Sequence, residues 1–580
     1  MRMLQAVVFW VMTSLSAVAS APELDSVLND HWTWTLKNSP RLATELGVRD
    51  HDARLGDLSS QSMDRAASEM KAFVTRLEKI DPATLDTSEK VNRDILLTDL
   101  RTALEGMAFS QKYMLFTNRG GWHSGFSGFP DDAPFFTKAD YESYVARLAD
   151  FARLNAEGIA TSRLALKQGN TQYCESMRGF EKSIAAHMVT DPEKSVFMKP
   201  FRTKPATISE ADFADLTARA STAIMGKVVP AYQAFYDFYT KDYAPKCRKN
   251  PGISSLKNGR AYYDFRIREQ TTTRLTADDI HALGLSEVAR IRIEMEEVVK
   301  QAKFNGTRKD YVAYLRSDPR FAAKTPEELV AANQAFMKRI DGLMPKLFGR
   351  LPRLPYTVLA MPDDVAEGNT TAYYEPGAAT AGRAGVYRVN TTKLPERYLF
   401  EIPALAIHEA VPGHHHQIAL QQELDLPNFR RHTSFFTAFV EGWGLYSERL
   451  GIEMGMYDTP EKNFGRLSYE MWRACRLVVD TGIHAKGWSR AQAIDYMLDN
   501  TALSRSNIEA EVDRYISWPG QALAYKIGEL KIRELRTRAE KTLGDKFDIR
   551  TFHDAVLENG AVPLDVLEAH IDSWIAQQKG

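Results

Sequence analysis

Residues 404–417 read Ala-Leu-Ala-Ile-His408-Glu409-Ala-Val-Pro412-Gly413-His414-His415-His416-Gln. An apolar run delivers a His-Glu pair, a Pro-Gly pair follows, and three histidines come next. Imidazole and carboxylate at close spacing suit zinc. In the H-E-x-x-H arrangement two histidines one helical turn apart bind the ion, and the glutamate between them is the general base. Here Pro412 takes the fifth position and the next histidine comes two residues late. A histidine tract that binds metal adventitiously is the simpler alternative. Against it, a glutamate set on an apolar helical run is costly without a partner.

A second element lies downstream, Phe439-Val440-Glu441-Gly442-Trp443-Gly444-Leu445-Tyr446-Ser447-Glu448. Zinc peptidases with two His and one Glu take the third ligand from a later helix. In the aminopeptidase N family that helix reads N-E-G-F-A-x-Y-x-E. Glu441, Gly442, Tyr446 and Glu448 match it at the same offsets, while Val440 and Trp443 depart from it. By itself E-G-W reads as helix packing; after an H-E motif it marks a metal ligand.

With these blocks, nearly the whole chain resembles the domain of unknown function 885 family. Two later blocks carry the resemblance as well. One is Val479-Asp480-Thr481-Gly482-Ile483-His484 with Gly487-Trp488-Ser489, and the other is Arg514-Tyr515 with Pro519-Gly520-Gln521-Ala522 and Tyr525-Lys526. The resemblance implies a mainly α fold with a deep channel, similar to thimet oligopeptidase and angiotensin-converting enzyme. It also implies one zinc ion per chain, held by His408, His414 and Glu441. Glu409 would serve as base, and Glu448 would orient a ligand. A peptidase of this type needs an oxyanion donor besides zinc, and a phenol is the usual one; Tyr525 and then Tyr515 are the candidates. Arg514 suits a substrate carboxylate or a structural ion pair. Asp480 and His484, four apart on one helix face, suit either substrate contact or a structural pair.

Helix geometry alone favours His415 over His414 as the second histidine ligand. At about 100° per residue, seven residues return to within roughly 20° of the face of His408, whereas six miss it by about 120°. Pro412, however, cannot donate to the carbonyl of His408 and crowds it, and Gly413 tolerates unusual backbone angles. A bulge that loops out two residues would bring His414 into place.

The elements that must position these residues are dominantly helical. Tyr141, Tyr144, Leu148, Phe151 and Leu154 recur at helical steps within 137–168. Thr276, Thr325 and Ser489 are helix-start caps. One alternating segment, 385–391, reads as a strand. It is expected to be an edge strand near the zinc helix, with Tyr387 among the substrate-binding residues, and to take an extended peptide by strand addition. Pro and Gly cluster at 118–134, 249–259 and 375–385. A soft boundary near residue 250 separates a helical region 20–250 from a zinc-site region 251–580, both parts of one catalytic unit.

Lys+Arg 74 against Asp+Glu 75 gives a net charge of −1, which argues against nucleic acid as a partner. Residues 1–19 have the form of a signal peptide, with an apolar stretch too short to span a bilayer and A-x-A sites that favour cleavage after Ala19. Export permits a disulfide, and Cys174 and Cys247 are the candidates; Cys475, in an apolar helical run, reads as a buried thiol. The sequence thus reads as an exported, periplasmic or secreted zinc metallopeptidase acting on oligopeptides, with no stable membrane insertion. The alternatives are a zinc hydrolase of a non-peptide amide and a non-catalytic peptide-binding protein with a degenerate site.

Overall fold

A computed structural model describes residues 21–362, 366 and 369–579. The leader expected at residues 1–19 lies outside the described residues. The fold is mainly α, with 71% of residues helical and 4% in strands. Local sequence signals account for many helix starts. Thr137, Thr276 and Ser489 each form a capping box with the residue three positions on, and Thr325 accepts from the Glu328 N–H.

We number only the elements that build the site. These are α1 (Ala277–Gln301), α2 (Ile402–Glu409), α3 (His414–Glu423), α4 (Thr437–Glu453), α5 (Pro460–Ala485), α6 (Arg505–Ser517) and α7 (Ala524–Leu543), with strands β1 (Tyr356–Ala360), β2 (Ala372–Glu375) and β3 (Gly385–Val389). Helix α1 packs along α5, and α4 packs along α7. The α4–α7 crossing is close because Gly442 meets Gly528; a Cβ on Gly442 would sit 2.5 Å from the Gly528 Cα. Beside this crossing Lys526 is fully buried among Glu287, Glu470 and Glu529, at 3.1, 3.0 and 2.9 Å. A buried ammonium is tolerated only when surrounded in this way.

The sheet order is β1-β3-β2, with β1 parallel and β2 antiparallel to β3. The strand expected within 385–391 is therefore present as β3, but it is the central strand and not an edge. Its period-2 alternation buries Gly385, Tyr387 and Val389. Both flanking strands are edges; the one at the site is β2, whose four residues are too few to announce a strand by alternation.

Two main apolar cores organise the chain. One joins residues from Leu24–Leu100 to those from Val288–Ile575, and the other is formed within Phe116–Tyr243. The expected boundary near residue 250 follows the second core, yet the first hundred residues share their core with the site half. Cys174 and Cys247 form a disulfide at the base of the second core, and Cys475 is a buried free thiol. Among the described residues no helix is long and apolar enough to cross a membrane.

Candidate metal centre

Helix α2 is buried along its whole length and presents His408 and Glu409 at its end. The expected bulge is instead a clean break. Helix α2 stops at Glu409, residues 410–413 turn through a cis Val411–Pro412 bond, and α3 starts at His414. Gly413 packs onto the end of α2, its N–H donating to the Ile407 carbonyl at 3.0 Å. A Cβ there would overlap the His408 and Ile407 carbonyls, so the position demands glycine. Trp443 of α4 donates its indole N–H to the Pro412 carbonyl at 2.8 Å. The aromatic residue of the E-G-W motif thus holds the turn of the H-E motif.

The break aims three consecutive histidines in three directions. His414 meets the ring of His408 edge-on, with centroids 4.7 Å apart. His415 turns towards the sheet, where its ring nitrogens pair with the Tyr374 hydroxyl at 2.9 Å and the Leu354 carbonyl at 3.0 Å. Burial pushes its pKa down to about 4. His416 is fully buried against Phe348.

Glu441 of α4 completes the group. Its Oε2 lies 3.5 Å from His408 Nε2 and 3.2 Å from His414 Nε2. One ligand atom from each of the three residues falls within 4.8 Å of the others. Glu441 Oε2 is buried without an aligned hydrogen-bond donor, although two imidazoles face it. An orphaned carboxylate oxygen opposite two ring nitrogens is what a shared cation would satisfy, and two nitrogens with one carboxylate suit zinc. The electrostatics agree. Burial opposes charge on both groups, yet Glu441 and Glu448 raise the His408 pKa to about 9, and the two histidines hold the Glu441 carboxyl well below its usual range.

Behind His408, the buried Glu448 places Oε1 2.9 Å from Nδ1 and 2.9 Å from an Arg473 guanidinium nitrogen. Gly444 gives the imidazole its room; a Cβ there would lie 2.7 Å from His408 Cε1. The second glycine of this helix is therefore a matter of space.

His408, His414, Glu441 and Arg473 line a cavity of about 310 Å³ that also holds Glu409, Thr370–Tyr374, Phe435, Arg119, Arg476, Arg514 and Tyr525. The volume is at the small end of ligand sites. The Asn390 N–H donates to the Thr371 carbonyl at 3.0 Å, so by antiparallel alternation the backbone groups of Ala372 and Tyr374 point away from β3.

Of the residues expected from the later blocks, Tyr525 and Arg514 reach the cavity. The Tyr525 ring lies 6.2 Å from that of His408, and its hydroxyl accepts from Arg514 at 2.9 Å. Tyr515, His484 and Asp480 do not line it, and neither does Tyr387 of β3. Tyr515 is buried, its oxygen taken by Trp472 Nε1 and Arg476 Nε, each at 2.9 Å. His484 is buried, with Ile253 N–H on Nδ1 and the Tyr515 carbonyl at Nε2, both at 3.0 Å. Tyr387 points into the core, where its hydroxyl donates to Asn333 at 2.9 Å. Asp480 is not paired with His484; it accepts from the Tyr263 hydroxyl at 2.6 Å and the Gly520 N–H at 3.2 Å. The oxyanion and substrate roles expected of Tyr515, His484 and Tyr387 are corrected accordingly, because side chains sealed in the core cannot touch a substrate.

Sequence reasoning missed Arg119, Arg473, Arg476 and strand β2. Arg473 and Arg476 carried a signal, since two guanidiniums in the apolar run 471–477 require buried partners. Arg119, in a Pro/Gly-rich loop, carried none.

Residues 40–571 match the family described as "Bacterial protein of unknown function (DUF885)". The chain belongs to this family. A crystal structure of a putative lipoprotein from Colwellia psychrerythraea is similar at 29% identity and a TM-score of 0.89, over 96% of this chain and 99% of that one. A putative lipoprotein of unknown function from Shewanella oneidensis shares the fold at 19% identity and a TM-score of 0.66, over 95% and 99%. No curated protein matches the chain.

Proposed function

We propose that this DUF885 protein is an exported zinc-dependent peptidase acting on oligopeptides. The observation that carries the reading is the convergence of His408, His414 and Glu441 in a cavity that also holds Glu409. The three would hold one zinc ion, which when bound supplies a Lewis acid at the scissile carbonyl. Glu409 would take the proton of the attacking water and pass it to the leaving amine. Glu448 would fix the ring of His408 through Nδ1. Arg514 and Gln521 both donate to the Tyr525 oxygen, so its own hydrogen is left to donate to a developing oxyanion. The outward backbone groups of β2 suit an extended peptide added as a further strand. Export is supported by the leader-like first 19 residues, by the Cys174–Cys247 bridge and by the lipoprotein description of the relatives.

The test is the release of amines from a mixed peptide pool, with metal content measured in parallel. A strong chelator should abolish hydrolysis and zinc should restore it. Full hydrolysis by verified metal-free protein, or none by protein carrying stoichiometric zinc, overturns the proposal.

A further inference from the structure

The cavity is electrically polarised. On one side stand the carboxylates Glu409 and Glu441. On the other stand three guanidiniums, Arg119, Arg476 and Arg514, against the single buried carboxylate Glu511. Glu511 binds Arg476 at 2.7 Å and Arg514 at 3.3 Å. Burial would raise its pKa, but Arg514 and Arg476 bring it down to about 2, so it stays charged. Arg473, the fourth arginine of the cavity, is already balanced by Glu448 at 2.9 Å.

Among the described residues Arg119 has no such ion pair. Its guanidinium donates to the Asn369 side-chain oxygen at 3.5 Å, and no carboxylate of the described residues lies within 4 Å of it. Its side chain is exposed and lines the cavity. Enclosure and the neighbouring Arg514 pull its pKa down to about 10.

From these contacts we infer that the Arg119–Arg476–Arg514 wall is a subsite for a carboxylate of the substrate, placed close to the scissile bond. This rests on the peptidase reading and names its substrate class. A single side chain, Tyr525, spans the gap between the two sides: its ring lies 6.2 Å from His408 and its hydroxyl 2.9 Å from Arg514. At roughly 3.3–3.6 Å per extended residue, the bound carboxylate is within about three residues of the bond cleaved. Two sources supply this group, the free C-terminus of a short peptide or an acidic side chain.

The test uses zinc-loaded protein and one neutral peptide sequence in three forms: free acid, C-terminal amide, and amide with a glutamate in its last three residues. Cleavage rates and products are read by mass spectrometry. Binding of the same three peptides to zinc-loaded Glu409→Gln protein is read by calorimetry. A charged hydrogen-bonded contact predicts about tenfold or more in favour of a carboxylate-bearing form. Preference for the free acid assigns the subsite to the C-terminus; preference for the glutamate amide assigns it to a side chain. Arg119→Gln, on an accessible side chain, should remove most of the preference with zinc content unchanged, and Arg119→Glu should turn it towards the neutral amide. Equal cleavage and equal binding of all three forms, or no binding of any, overturns the inference. Carboxylate-selective binding without hydrolysis leaves the subsite standing and overturns the peptidase reading instead.

Discussion

Helices α2 to α4 and the stretch from Asp480 to Tyr525 both set polar side chains into nearly fully buried helices, but they spend them differently. In the first region His408, His414 and Glu441 converge on one another, and Glu441 keeps a buried oxygen without a hydrogen-bond donor. In the second, Asp480, His484 and Tyr515 are each partnered within the fold: Asp480 by Tyr263 and Gly520, His484 by Ile253 and Tyr515, and Tyr515 by Trp472 and Arg476. A buried polar residue with its partners satisfied within the fold is a strut between elements. One with orphaned atoms facing a cavity is set for a ligand. Arg514 and Tyr525 are the points where the second region touches the cavity of the first.

Mutations should separate the two kinds of residue. The largest effect is expected at the ligands. His414→Ala and Glu441→Gln should each lose stoichiometric zinc and all hydrolysis, while His415→Ala, whose ring serves Tyr374 and Leu354, keeps its zinc; elemental analysis decides between them. Retained zinc in His414→Ala with loss in His415→Ala would erase the distinction drawn here between the two histidines.

Glu409→Gln should keep the metal and reduce turnover by roughly 100-fold or more, the scale of general-base loss. Tyr525→Phe should lower kcat by about 100-fold with little change in KM, since the phenol is needed for the developing oxyanion. A change in KM alone would reassign Tyr525 to ground-state binding. Glu448→Gln weakens the hold on His408 Nδ1, and zinc affinity by competition with a chelator should fall about 10- to 100-fold.

The smallest effect on chemistry is expected in the struts. His484→Ala strips the Ile253 N–H and the Tyr515 carbonyl of their partner, at a cost of about 1–3 kcal/mol in a denaturation midpoint. The kcat of the folded fraction should not move. A collapse of kcat with unchanged stability would return His484 to the site.

Several features were legible because their causes are local. Thr276, Thr325 and Ser489 cap helices through residues three positions away. The strand at Gly385–Val389 shows in its alternation. Placement of His414 beside His408 was legible in part, because Pro412 removes a helical donor from the sequence itself. The remainder was not legible for a physical reason. β3 became central because Tyr356–Ala360 and Ala372–Glu375 flank it, and neither partner leaves a mark on its own five residues.

The sequence by itself determined the chemical inventory: two histidines, two glutamates and a phenol of the right types, on helices whose starts and breaks it encodes within a few residues. Tertiary structure alone decided which of them share a space. Asp480 and Arg514 are both polar residues on buried helices, and nothing within a helical turn of either tells strut from cavity wall. That depends on what packs opposite: Tyr263 and Gly520 close around Asp480, while Arg514 faces a cavity that it shares with Arg119, nearly four hundred positions earlier in the chain. Hydrogen bonds and charges act over a few ångströms, and only the folded chain sets which residues lie within that reach.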